Sequence, residues 1–236
     1  MVEFAYAVGR IRALEVHLLD ESSIIRMVDA RDFESAYLVL RENPNYAEKI
    51  DRLPHPFDFE LLLLNELESV KELLEYLAPG NEVLAAIWKK HETGITLDSY
   101  VKDLLETSER HPIPIFTIYA RAFAALYLLR RELMEGKIDA DAVESRYRYT
   151  DYHRAVHAGM EHYKKTGSLF ALEREIDNHL MNVVKMAKYK AFGLEPLIGY
   201  AIAKEIEIKI IRLILTAKRM HVKTEEIKER LRLPYV

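Results

Sequence analysis

From Gly199 to Arg219 the sequence runs GYAIAKEIEIKIIRLILTAKR, with no proline, no turn-forming pair and a glycine only at its start. Its centre, Glu205-Ile206-Glu207-Ile208-Lys209-Ile210, alternates charged and apolar residues as a half-buried strand does. A strand extended over the whole stretch would far exceed the usual length and would need turn residues that are absent. At helical spacing the pattern resolves differently. Leu197, Ala201, Ile208, Ile211 and Leu215 fall on one side, and Ile206, Ile210, Leu213 and Ala217 on a second. Glu205, Lys209 and Arg212 then form one narrow polar stripe, with Glu205 preceding Lys209 in the favourable i,i+4 order. The stretch predicts a helix of about 20 residues, roughly 30 Å long, apolar on most of its circumference. Buried charges are tolerated only when paired, so Glu205, Glu207 and Arg212 are expected in satisfied ion pairs within the core.

Elsewhere glycine and proline are confined to short punctuation such as Pro79-Gly80-Asn81, His111-Pro112-Ile113-Pro114 and Thr166-Gly167-Ser168. The intervening segments are rich in Leu, Glu, Lys, Arg and Ala, all good helix formers. No segment reads as a convincing strand, and the fold class is all-α, with on the order of a dozen helices. The two halves echo one another. Tyr6-Ala7 and Tyr119-Ala120 each open a helix, and Asp32 and Asp139 each precede a tyrosine, Tyr46 and Tyr152, at nearly equal distance. Helices opening at Phe59-Glu60 and Leu172-Glu173 run on to Pro79 and Pro196, and each proline is followed by another apolar helix. The drifting offset suggests two tandem, diverged multi-helix repeats, residues 1–112 and 113–236, with the boundary near His111–Pro114.

Composition narrows the function. Charged residues make up 31% of the chain with a net charge of −4, so the basic footprint of a nucleic-acid binder is absent. There is no cysteine, which removes disulfides and thiolate chemistry. Arg10 and Arg12 interrupt the apolar pattern near the start, unlike a signal peptide. The longest uncharged apolar run, Ala122 to Leu129, is far short of the roughly 18 residues that a membrane span requires. Gly-rich phosphate loops and Gly-x-Ser-x-Gly elbows are missing, and Glu173, Glu175 and Asp177 alternate sides of their helix, so the residues indicate no catalytic site and no cofactor.

Three smaller constellations have bland readings that outweigh sharper ones. His153, His157 and Glu161 share a helix face beside His162, but without a HExxH or Glu-x-x-His pattern they describe a solvated face rather than a metal site. Val222 to Leu231, with Thr224 as N-cap, looks like the first helix of a helix-turn-helix, but no recognition helix follows; Ile227 and Leu231 are expected to pack on the core. Arg146-Tyr147-Arg148-Tyr149 and Arg130-Arg131 suit structural or interfacial use better than base stacking.

The segment GLEPLIGYAIAKEIEIKIIRLILTAKRMHVKTEEIKERLRLPYV, Gly193 to Val236, resembles the end of the C subunit of V/A-type ATP synthases, whose vacuolar counterpart is the d subunit. The features carrying it are Pro196, Gly199-Tyr200, Ala203-Lys204-Glu205, Glu207-Ile208 and Ile211-Arg212, then a short last helix ending in Arg232 and Tyr235; the opening Tyr6 to Arg12 fits the family's start. The resemblance implies a helical funnel of three repeats, here shortened to two, with a concave socket between the halves. It marks Tyr200, Lys204, Glu205, Glu207 and Arg212 as structural or interface positions. It further implies a non-catalytic rotor adaptor on the cytoplasmic face of the cell membrane, peripheral and without a membrane span. Its partners would be the central-stalk subunits and the membrane rotor ring, with torque passed for proton or sodium transport. An unrelated helical interaction scaffold and, further off, a helical-bundle metalloprotein are the competing readings.

Overall fold

The computed structural model describes residues 4–53 and 58–236, with no strand among them. Thirteen α-helices are described: α1 (Ala5–Glu15), α2 (Glu21–Asp29), α3 (Phe33–Arg41), α4 (Pro44–Asp51), α5 (Phe59–Leu77), α6 (Glu82–Trp88), α7 (Leu97–Arg110), α8 (Pro114–Met134), α9 (Ala140–Tyr147), α10 (His153–Thr166), α11 (Phe170–Lys185), α12 (Glu195–Arg219) and α13 (Thr224–Arg230). Single 3₁₀ turns, Lys89–His91 and Met186–Tyr189, extend α6 and α11.

The helix starts are written in the local sequence. Asp20, Asp32, Asp58, Asn81, Thr96 and Asp139 each accept a hydrogen bond from a backbone N–H of the first turn, which satisfies a donor that the helix itself leaves unpaired. Asn43 does the same for α4, where Pro44 supplies a preset φ at the first position. Pro114 likewise opens α8, and Pro196 is the second residue of α12, after Glu195. Tyr119 consequently lies inside α8 rather than at its start. At α13 the residue before the helix is Lys223, and Thr224, expected as the cap, is the first helical residue and makes no cap bond.

α12 is the axis of the molecule. At 25 residues it is longer than the sequence pattern suggests, about 37 Å. Every residue from Pro196 to Ile208 is buried. It packs against α1, α2, α3, α5, α6, α8, α11 and α13, so elements from both sequence halves close on one helix and share one continuous hydrophobic core. Its first turns lie hard against the 3₁₀ turn after α11: a Cβ on Gly199 would fall 2.6 Å from that of Ala187, and only glycine fits. α10 and α11 cross as closely, since a Cβ on Gly159 would come 2.5 Å from the Leu172 Cα.

α11 ends at Lys185, ten residues before the expected limit at Pro196. The turn that follows is met from across the molecule. The Arg12 guanidinium, held by Glu15 at 2.7 and 2.9 Å, donates to the carbonyls of Ala187 (2.6 Å) and Lys190 (2.8 Å). The Ala187 carbonyl also closes the 3₁₀ turn by accepting from the Lys190 N–H at 3.0 Å, and Gly193, at φ +89°, breaks the run before α12. The C-terminal segment returns to the same place, where the Tyr235 hydroxyl donates to Glu15 at 2.8 Å. Glu15 thereby ties the end of α1 to the last residues of the chain.

Candidate functional site

The charges of α12 form two polar centres on opposite sides of the rod. The first surrounds Lys204, whose side chain is 2% exposed. Its ammonium bonds Glu66 of α5 at 2.5 Å and Glu207, one turn on, at 2.7 Å. Glu207 accepts in addition from the Tyr46 hydroxyl of α4 at 2.7 Å and from the backbone N–H of Leu19 at 2.5 Å. Glu66 accepts from Asn45 at 2.9 Å and pairs with Lys49. The Tyr46 ring lies 4.9 Å from the Lys204 ammonium. Burial disfavours the charged form of Lys204, yet Glu207 and Glu66 outweigh it and raise its pKa. Burial likewise works to raise Glu66, but Lys204 and Lys49 prevail and hold it below the usual carboxylate value. Tyr46, buried and facing two carboxylates, is pushed well up and stays a neutral donor.

The second centre surrounds Glu205. It pairs with Lys90, just after α6, and with Lys209 at 3.3 Å in the i,i+4 arrangement that the sequence predicts. The Lys90 ammonium donates to the Tyr119 hydroxyl at 3.0 Å and lies 5.2–5.8 Å from the rings of Tyr100, Tyr119 and Phe123, a cage that attracts a cation. Burial alone would raise the Glu205 carboxyl; Lys90, Lys209 and His91 outweigh it and hold it down to about 2. From Lys209 the pairing continues to Asp177 of α11 (3.2 Å) and on to Arg232 (2.9 Å), which reaches solvent. Arg212, half-exposed, bonds Glu60 of α5 at 2.9 Å.

Of the five positions singled out in the sequence, Tyr200, Lys204, Glu205 and Glu207 are interior and Arg212 lies at the surface. Their partners are harder to see in the sequence. Glu66 carries a signal, because it shares helical spacing with Leu62, Leu63 and Val70 and so sits on an apolar face. Asp177 carries the same signal, at helical spacing to Leu180, Met181 and Val184, whereas Lys90 carries none. Among the described residues no group of three metal-ligating side chains gathers. His157 pairs with Glu144 at 2.6 Å and stacks on His153, while Glu161 faces Lys165. Ile227 is fully buried and Leu231 packs against the core, as the spacing of α13 predicts. Two grooves, of about 450 and 300 Å³, meet at Lys209 and Arg232. One lies between α12 and α13, the other between α8, α11 and α12, so this concave face belongs almost wholly to the C-terminal half rather than opening between the halves.

These buried residues fall within the two blocks that align with a known group of proteins. The sequence profile described as ATP synthase (C/AC39) subunit matches residues 7–94 and 119–230. The chain belongs to that family. Tyr46, Glu66 and Lys90 lie in the first matched block; Asp177, Lys204, Glu205 and Glu207 lie in the second. The C subunit of the A-type ATP synthase of Methanosphaera stadtmanae is 31% identical over 239 residues, an alignment covering 99% of this chain and 58% of that protein. The counterpart in Methanocaldococcus jannaschii is 35% identical over 80 residues, 34% of this chain and 20% of that one. The C subunit of the V-type sodium ATPase of Enterococcus hirae is 40% identical over 67 residues, 28% of this chain and 20% of that protein. The chain thus spans little more than half the length of the relative it matches throughout. Among the described residues no helix of this family member is long and apolar enough to cross a membrane.

Proposed function

We propose that the chain is a non-catalytic rotor adaptor of a V/A-type ATPase, linking central-stalk subunits to the membrane rotor ring and passing torque for proton or sodium transport. It would work at the cytoplasmic face of the cell membrane. One observation carries this reading: α12 is bonded crosswise, through buried charges, to α4, α5, the turn after α6 and α11. A load applied to one helix is therefore spread over the whole body. Close-packed interiors have low compressibility and transmit strain, which is what a coupling part needs. The adjoining grooves around Lys209 and Arg232 are where this reading seats a stalk helix, with Leu213, Ala217 and Ile227 as the apolar floor and Arg212, Arg230 and Arg232 at the rim. The division into two repeats, 1–112 and 113–236, belongs to the same proposal; in each half an aspartate-capped short helix precedes a longer helix that leads toward a proline, Pro79 or Pro196.

The test is affinity purification of the tagged chain from native membranes under mild detergent. Stalk and ring subunits are expected together in the eluate in fixed ratio. Their consistent absence, with the chain itself intact, rejects the adaptor role.

A further inference from the structure

The segment between α11 and α12 is unlike the rest of the surface. From Asn178 to Leu194 there is no acidic residue, and Lys185, Lys188 and Lys190 fall within six positions, in a chain whose net charge is −4. Among the described residues neither Lys185 nor Lys190 has an ion-pair partner, so both charges are available to a ligand. Lys188 is spent on the Tyr235 carbonyl and ring, and burial, with Lys185 and Arg12 opposing Glu15, lowers its pKa. Interleaved with the lysines are large apolar side chains in solvent: Tyr189 is 89% exposed, Phe192 66% and Met186 54%. The segment is held out in this form by Arg12, which takes the Ala187 and Lys190 carbonyls.

We propose that Lys185–Phe192 is a contact site for an anionic lipid surface. Aromatic rings and lysines alternating on one projecting turn fit the headgroup boundary, where rings enter the interface and lysine stems carry their charge to the phosphates. Tyr, Phe and Met are common at protein interfaces too, but lysine is depleted there, and it is the lysines that favour lipid. Two weak signals, apolar insertion and charge, act together here as reversible peripheral binding requires. The site is independent of the adaptor role, since it is read on the chain alone.

The experiment is flotation of the full chain with vesicles of phosphatidylcholine, with and without about one-third phosphatidylglycerol. Binding is expected only to the anionic vesicles, weakening as salt rises. Lys185→Gln combined with Lys190→Gln should reduce partitioning about 30-fold, from about a factor of five per lysine near such a surface. Tyr189→Ser with Phe192→Ser should weaken binding while thermal unfolding is unchanged, since both side chains stand in solvent. Equal binding to neutral vesicles, indifference to either double variant, or equally effective competition by soluble polyglutamate overturns the proposal. So does self-association of the chain that Tyr189→Ser and Phe192→Ser abolish, which would make the turn a contact between copies.

Discussion

Lys204 and Glu205 are neighbours in the chain, yet they anchor polar centres of different character. The Lys204 centre is closed: Lys204, Glu66 and Glu207 have side chains 2%, 1% and 6% exposed, and only Lys49 at its edge meets water. The Glu205 centre is graded, running from buried Lys90 and Glu205 to the partly exposed set of Lys209, Asp177 and Arg232. In the closed centre two carboxylates depend on one interior cation, with hydroxyl and amide donors completing the shell. In the graded one every charge except Lys90, whose one carboxylate partner among the described residues is Glu205, has an alternative partner or access to solvent. Replacing a buried ion pair with apolar residues is often neutral, whereas removing one member is severe. The closed centre should therefore be intolerant of single changes, and the graded one forgiving toward its outer end.

The largest effect is expected for Lys204→Met. It leaves Glu207 without a cation and Glu66 with Lys49 alone, and should cost about 3–5 kcal/mol in equilibrium urea unfolding. A loss below about 1 kcal/mol would erase the distinction between the centres. The next concerns acid. The Glu205 carboxyl lies near 2 in the fold against 4.5 for the free group, so below 4.5 the unfolded chain takes up the proton first. The stability from this group is complete above pH 4.5 and drains away as pH falls toward 2. Up to about 3 kcal/mol is at stake, at 1.36 kcal/mol per pKa unit. Glu205→Gln should lose a similar amount already at pH 7 and show a shallower decline on acidification; an unchanged slope would mean that the carboxyl is not held ionised. The smallest effect belongs to Arg212→Ala. With both partners of the Arg212–Glu60 pair nearly half exposed, the loss should stay under about 1 kcal/mol and shrink with added salt.

The same contrast explains what can be read from sequence. The α12 rod is legible because isoleucine at helical spacing outweighs a short alternation, and the pairing of Glu205 with Lys209 follows from i,i+4 geometry alone. The alternation itself has a cause: Glu205 and Glu207 face different centres, with isoleucines filling the space between. Helix starts follow local chemistry where Asp20, Asp32, Asn81 or Asp139 caps the first turn, but the cap read at Thr224 falls one residue inside α13. What stays hidden is long-range. Tyr46 to Glu207 and Lys90 to Glu205 join residues more than 100 positions apart, and no local pattern announces them. The clamp on the Ala187 and Lys190 carbonyls is invisible for the same reason, since Arg12 belongs to the first helix.

The position of α12 also has a consequence for synthesis. Helices α1 to α8 leave the ribosome before the element on which they close. At roughly 5–20 residues per second the earliest of them wait about ten seconds or longer. During that interval Glu66 and Lys90 remain hydrated, and the apolar faces meant for the rod are open to water and to other chains. A nascent polypeptide of this kind should be most vulnerable to proteases and most in need of chaperones just before its isoleucine-rich helix emerges.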